Sequence, residues 1–243
     1  MDLSTGVIVP SAGWGRRMGV DTPKQYLPVQ GKPVLFYTLY RLSLIKEVCY
    51  IVITASEKAI PEVREIADEA VAEAGRHSQL KVDVVAGGKE RMDSVGIGLD
   101  HLKNRSIRLV MVHDAVRPCF SLEQTEKAIQ VAADTGAAIL AIPSRDTVKL
   151  VGPESVIRAT LKREEVWLAQ TPQVFQKEVF VKAYSELGAE RFHATDDASV
   201  VEHSGYPVVV VPGSEDNLKI TYLSDLVFFE NWLKQHPKAN KPE

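Results

Sequence analysis

Cysteine is scarce in this chain: Cys49 and Cys119 are the only two in 243 residues, far apart in sequence. They form neither a disulfide framework nor a C-x-x-C pair for zinc or redox chemistry, which fits a reducing compartment. Long apolar runs are missing too. No stretch approaches the roughly 20 residues needed to span a bilayer, and the N-terminal residues lack the basic and apolar regions of a secretory signal. A cytoplasmic location with no membrane partner is the expectation. Neither sign of charge dominates: 29 Lys and Arg against 32 Asp and Glu give a formal net charge of −3. That balance argues against a nucleic-acid partner held by a global positive field. The familiar hydrolase signatures are also absent, with no G-x-S-x-G elbow, no Ser-His-Asp order and no metal-ligand pairing among the six His.

What is present is an ordinary globular composition, 45% hydrophobic with 15 Gly and 13 Pro, which excludes disorder and fibrous repeats. Short β-branched runs occur at Gly6–Val9, Tyr50–Ile53, Val82–Val85, Leu109–Val112, Ala137–Ile142 and Val208–Val211. Near-continuous apolar strands of this kind are buried on both faces, as in mainly parallel sheets. Helical patterns lie between them, most clearly over Pro61–Ala74. There Val63, Ile66, Ala67, Ala70, Val71 and Ala74 share one face, Pro61 sits in the first turn and Gly75 follows as a stop. Strand–helix alternation predicts βαβ units and an α/β fold. The rhythm breaks over about 144–174, where Thr147–Val151, a Gly152-Pro153 turn, Val156-Ile157 and Val166–Leu168 read as short strands of a protruding β-arm. Helices are expected again near Lys177–Leu187, Asp196–Glu202 and Leu223–Lys234, with a frayed polar tail from His236. One domain over 1–243, carrying that arm, accounts for the length.

Three strand-to-helix junctions hold the candidate chemistry. The first is Ser11-Ala12-Gly13-Trp14-Gly15-Arg16-Arg17-Met18, ending in Pro23-Lys24-Gln25-Tyr26. Glycines just beyond a strand let backbone N–H groups approach a phosphate. A dinucleotide fingerprint fails because Met18 stands at the third glycine position, and a Walker loop fails as well. Arg16, Arg17 and Lys24 make the loop cationic and suit it to a triphosphate. The second junction is Gly87-Gly88-Lys89-Glu90-Arg91-Met92-Asp93-Ser94, where two glycines could admit a flat base and Ser94 offers a hydroxyl; any βα turn can look the same. The third is His113-Asp114-Ala115-Val116-Arg117-Pro118, after the most hydrophobic strand. Ligands of open α/β sheets lie beyond the carboxyl ends of strands, so Asp114 is placed to meet a phosphate-bound Mg²⁺ and Arg117 to clamp an anion, although Asp114 is equally a turn former. His113 reads as a structural neighbour.

Together with Arg145-Asp146-Thr147, Gln170-Thr171-Pro172-Gln173, Thr195-Asp196-Asp197-Ala198-Ser199 and Asp216-Asn217-Leu218-Lys219, these segments resemble, in order, the motifs of the 2-C-methyl-D-erythritol 4-phosphate cytidylyltransferases. The resemblance runs from about Val7 to Leu226. It implies a Rossmann-like nucleotidyltransferase fold and a homodimer formed partly by exchanged arms. The activity implied is transfer of a cytidylyl group from CTP to methylerythritol 4-phosphate with release of pyrophosphate, assisted by Mg²⁺. Carried across by position, Arg17, Lys24 and Lys219 match the catalytic cations. Ala12, Gly13, Gly15, Gly88 and Ser94 match the nucleotide contacts, and Asp114 the Mg²⁺-associated carboxylate. Arg117, Thr147, Arg163 and Thr171 match residues around the acceptor, with Arg163 supplied by the partner's arm. Ser11, Val116 and Lys89 depart from the commonest family residues, and the base contact is therefore assigned to the Gly88 backbone. A ribitol 5-phosphate cytidylyltransferase, or a non-catalytic nucleotide-binding protein of the same fold, is the alternative.

Overall fold

The computed structural model describes residues 2–13, 22–76, 78–187 and 194–237. Its strands are β1 (Thr5–Pro10), β2 (Pro28–Val29), β3 (Lys32–Pro33), β4 (Val48–Ala55), β5 (Lys81–Ala86), β6 (Leu109–Val112), β7 (Ala137–Pro143), β8 (Lys149–Val151), β9 (Ile157–Thr160), β10 (Trp167–Gln176) and β11 (Val209–Pro212). Seven of them form one sheet in the order β11-β7-β10-β6-β1-β4-β5. Within it β1 pairs in parallel with β4 and β6, β4 with β5, and β11 with β7. The apolar runs alternate between two cores, as a period of two demands. Val7, Val9, Ile51, Ile53, Leu109 and Met111 face one core, while Ile8, Tyr50, Val52, Val110 and Val112 face the other.

Helices cover both faces: α1 (Val34–Ser43), α2 (Ile60–Glu73), α4 (Leu122–Thr135) and α7 (Leu223–Gln235) on the first, α3 (Arg91–Leu102), α5 (Lys177–Glu186) and α6 (Asp197–His203) on the second. The stripe expected on α2 is buried through Val63, Ile66, Ala67, Ala70 and Val71. Ser121 starts α4 by accepting the Gln124 amide at 3.2 Å, a side-chain N-cap. On the second face α3 packs so tightly over β1 that a Cβ on Gly98 would lie 2.6 Å from Ile8 Cγ2. That close approach fixes the N-terminal end of α3, and so Arg91, beside the end of β1.

Two expectations need correction. Val166–Leu168 is not a separate strand of the arm. Trp167 and Leu168 open β10, which enters the main sheet antiparallel to both β6 and β7. Pro172 lies inside this central strand because pairing with β7 is interrupted between Ala169 and Gln173, the kind of irregularity at which a sheet tolerates proline. The excursion itself is the β8–β9 hairpin, whose Leu150, Val151 and Ile157 are half exposed. The second correction concerns His236. It does not fray: its ring stacks on Trp232 with centroids 4.3 Å apart, and its Nδ1 lies 2.9 Å from the Trp232 carbonyl oxygen.

Candidate active site

The four strands β1, β4, β5 and β6 run parallel, so their carboxyl ends share one edge of the sheet, and the three glycine- or aspartate-bearing junctions follow there. Two cavities open at that edge. One, of about 300 Å³, is lined by Ala12, Gly13, Lys24, Gly88, Ser94 and Lys219, among others. The other, of about 270 Å³, is lined by Arg117, Gln170, Thr171, Thr195 and Asp196, among others. Arg91, Asp114 and Lys219 line both, and so form the wall on which the cavities meet.

The first cavity is braced by Gln25. Its buried amide donates to the carbonyls of Ser11 at 2.7 Å and Gly13 at 3.0 Å, which pins the strand-to-loop exit. Opposite, the Gly88 N–H donates to Ser94 Oγ at 3.1 Å, leaving that hydroxyl's own proton free to be donated. Gly88 is required at this turn, since a Cβ there would fall 2.1 Å from that of Asp93. Lys24 reaches across to donate to the Ile220 carbonyl at 2.8 Å.

Asp114 is 5% exposed and its carboxylate is gripped on both oxygens. Oδ2 lies 2.9 Å from Lys219 Nζ and 3.3 Å from Arg117 Nε, and Oδ1 accepts from Arg91 Nε at 3.3 Å. Burial alone would raise its pKa, but the cations Arg91, Lys219 and Arg117 overcome that and hold it well below the usual carboxylate range. The Asp114 amide donates to Thr171 Oγ1 at 3.0 Å, and Thr171 Oγ1 lies 3.1 Å from His113 Nδ1. A hydroxyl that accepts from one N–H gives its proton to the other partner, so His113 Nδ1 accepts and its Nε2–H donates to the Arg117 carbonyl, 3.1 Å away. His113 is fully buried, and desolvation pulls its pKa down to about 3, so the ring is neutral as this chain of bonds requires. Its role is structural, as the sequence suggested.

Asn217 docks the last site loop. It is fully buried, and its side-chain amide donates to Gln170 Oε1 at 3.2 Å and to the Thr171 carbonyl at 2.9 Å; its backbone carbonyl accepts from Arg117 Nη1 at 2.7 Å. Lys219, two residues on, is thereby aimed at Asp114.

Of the residues singled out from sequence, Lys24, Ala12, Gly13, Gly88, Ser94, Asp114 and Lys219 line the first cavity, and Arg117 and Thr171 the second. Arg17 and Gly15 lie outside the described residues. Thr147 and Arg163 are exposed and line neither cavity. Sequence reasoning assigned nothing to Arg91, Gln25, Asn217 or Asp197. All four stand inside the quoted motifs, and that position was the available signal. Among the described residues no three His, Cys, Asp or Glu side chains cluster as a metal cage, and no helix is long and apolar enough to cross a membrane.

Comparison with known proteins places these features in a wider set. Residues 5–235 match the family described as IspD, 2-C-methyl-D-erythritol 4-phosphate cytidylyltransferase. The protein of that name from Symbiobacterium thermophilum is 40% identical over 238 residues, which cover 98% of this chain and 96% of the relative. The one from Syntrophus aciditrophicus is 40% identical over 229 residues, 94% of this chain and 95% of the relative. Among solved structures, 4-diphosphocytidyl-2C-methyl-D-erythritol synthase from Anaerococcus prevotii superposes with a TM-score of 0.82 at 29% identity, covering 95% of this chain and 96% of that one. The cytidylyltransferase of Francisella tularensis gives 0.75 at 30% identity, covering 94% and 99%.

Proposed function

The chain belongs to the 2-C-methyl-D-erythritol 4-phosphate cytidylyltransferase family, and from that premise we propose that it transfers the cytidylyl group of CTP to 2-C-methyl-D-erythritol 4-phosphate. The products are 4-diphosphocytidyl-2-C-methyl-D-erythritol and pyrophosphate. The observation that carries the assignment to this site is the pair of cavities meeting on Asp114, Arg91 and Lys219. A two-substrate transfer needs two pockets whose ligands touch at one point, and that point needs positive charge.

The glycine-lined cavity takes CTP, with the base against the Gly88 turn, Ser94 as a hydroxyl donor, and the triphosphate toward Lys24. The second cavity takes the acceptor, whose phosphate is met by Arg117 and Lys219. An oxygen of the acceptor phosphate attacks the α-phosphorus of CTP; the new P–O bond forms as the bond to the bridging oxygen of the β-phosphate breaks, and pyrophosphate leaves with that electron pair. No general base is needed, because a phosphomonoester with a second pKa of about 6 is already a dianion near neutral pH. Neutral, buried His113 is accordingly not asked to move a proton. The work of the side chains is to bring two anions together in line and to stabilise the charge that develops between them.

A lone carboxylate at the junction of the cavities also fits a Mg²⁺ that arrives with the triphosphate, since this ion is commonly held by one or two carboxylates together with substrate phosphates. Asp114 would hold it, and when bound the ion would neutralise phosphate charge and orient the pyrophosphate.

The β8–β9 hairpin and the adjoining start of β10 support a homodimer as the working form. Leu150, Val151, Val156, Ile157, Trp167 and Leu168 are between 41% and 61% exposed, a run of apolar surface that a second copy would cover. Arg163 lies in the exposed segment that joins β9 to β10 and would reach a partner's acceptor cavity.

Pyrophosphate release with CTP and Mg²⁺, comparing methylerythritol 4-phosphate with ribitol 5-phosphate, tests the assignment. Faster release with ribitol 5-phosphate would overturn it.

A further inference from the structure

In the reaction as written Arg91 is given no contact with either substrate, yet its side chain ties the wall between the two cavities to the second face of the sheet. It is the first residue of α3, and its guanidinium spans two carboxylates. Nε reaches Asp114 Oδ1 at 3.3 Å, and Nη2 lies 2.8 Å from Asp197 Oδ2. Asp197 is fully buried, and its other oxygen accepts from the Tyr184 hydroxyl at 2.8 Å. The first residue of α6, it is fixed in turn. Gln173 of β10 donates to Asp196 Oδ2 at 2.8 Å and accepts the Ala198 N–H at 2.9 Å. Gln173 thus holds the residues on either side of Asp197, and β10 also carries Thr171, which accepts the Asp114 amide, so side-chain contacts and short stretches of backbone close a ring from Asp114 through Arg91, the start of α6 and β10 back to Asp114.

We propose that Arg91 is a positioning residue for this reaction, locking the Asp114 carboxylate in one orientation with Asp197 as its anchor. The proposal rests on the cytidylyltransferase reading above. Lys219 and Arg117 both hold Oδ2, so among the described residues Arg91 is the contact on Oδ1 that stops the carboxylate from swinging about its Cβ–Cγ bond. A freed carboxylate would carry Lys219 and Arg117 with it and blur the point where the two substrates meet. Arginine is required because a planar fork reaches two carboxylates at once, whereas the single nitrogen of lysine serves one. An uncompensated Asp197 would also be costly in its fully buried position, which keeps the fork seated.

The test is steady-state pyrophosphate release by Arg91→Lys, by Asp197→Asn and by the double variant, with the KM of each substrate and the melting temperature measured alongside. Misplacement of a reacting group by about 1 Å can cost on the order of 100-fold, so kcat is expected to fall about 10- to 100-fold in each single variant, with both KM values within about threefold. The double variant should be no worse than about twofold below the weaker single, because both changes cut one linkage. Arg91→Lys within twofold of the wild type in kcat would overturn the proposal. So would a tenfold rise in either KM at unchanged kcat, which would mean direct substrate contact, or losses that multiply in the double variant. If the Arg91 and Asp197 variants fail to fold, Tyr184→Phe removes the hydroxyl that bonds to Asp197 and so loosens the anchor while keeping Arg91 and Asp197. It should lower kcat about threefold at unchanged KM, and an unchanged kcat would overturn the idea. A wild type that releases no pyrophosphate with either acceptor defeats the underlying reading; an active wild type with an equally active Arg91→Lys defeats this inference alone.

Discussion

Replacing Lys219 with alanine removes a cation that lies 2.9 Å from Asp114 Oδ2 and lines both cavities. Asp114 keeps Arg91 and Arg117 after the change, so its carboxylate stays paired and the fold should be retained. What is lost is attraction toward the negative charge that builds up as the cytidylyl group passes between two phosphates. One unit of charge at about 4 Å and an effective dielectric of about 20 interacts with about 4 kcal/mol. At about 1.4 kcal/mol per tenfold in rate, that sets a ceiling on the order of 10³ in kcat. Lys219 is 37% exposed, so solvent screens part of this, and a loss of about 100-fold is the working figure. CTP affinity should change much less, by about threefold or under, since in the unliganded site the Lys219 charge is already met by Asp114.

The assay is pyrophosphate release at saturating concentrations of both substrates, with CTP binding followed separately by isothermal titration calorimetry. A variant that loses CTP affinity as steeply as kcat would place Lys219 in ground-state binding and refute the reasoning. So would a kcat within threefold of the wild type.

Lys24→Ala should likewise lower turnover far more than CTP affinity, and equal losses in steady-state and calorimetric measurements would contradict its place beside the transferring phosphate. Arg163→Ala should raise the KM for the sugar phosphate while calorimetry shows CTP binding nearly intact; if CTP binding is lost instead, the arm does not serve the acceptor. His113 supplies a pH signature. Its folded pKa, lowered by burial to about 3, lies below the unfolded value of about 6.5, so the unfolded state binds the proton first and stability falls as pH drops from about 6.5 toward 3. Urea unfolding in metal-free buffer should show the wild type losing about 2 kcal/mol between pH 7 and pH 5 from this group. His113→Gln should flatten that slope, and a variant with the wild-type slope would rule out His113 as its source.

The parts of the fold legible in the sequence were those where one physical requirement acted alone. Strands β1, β4 and β6 are buried on both faces and read as unbroken apolar runs, and α2 shows a single stripe because one side of it meets water. The central strand β10 was not legible. Its middle is Gln170-Thr171-Pro172-Gln173, polar residues and a proline where a buried strand should be apolar. Each polar group is instead satisfied by a distant partner: Gln170 by Ser214 and Asn217, Thr171 by Asp114 and His113, Gln173 by Asp196 and Ala198. No local pattern encodes such pairings. The same holds within the site. Glycine turns and Asp114 announced themselves by following strands, but the bridge from Arg91 to Asp197 joins α3 to α6 across more than a hundred residues and has no periodicity to reveal it.

The near-neutral composition, taken by itself, argued against a field strong enough to gather polyanions. Within the two cavities the balance is different: Lys24, Lys89, Arg91, Arg117 and Lys219 stand against Glu90, Asp114 and Asp196. Three of those cations are engaged by Asp114. That engagement has a kinetic consequence. Cations left unpaired would bind CTP tightly before reaction and gain little as the transition state forms, whereas cations that share one buried carboxylate are held in place at reduced ground-state attraction. Their charge is then available where negative charge grows, which is the condition for raising kcat rather than lowering KM. On the proposed reaction, Asp114 would serve as the counter-ion that orients Lys219 and Arg117, independently of any role in holding Mg²⁺. The ring through Arg91 and Asp197 follows from the same need, because a counter-ion that organises two cations must itself be fixed.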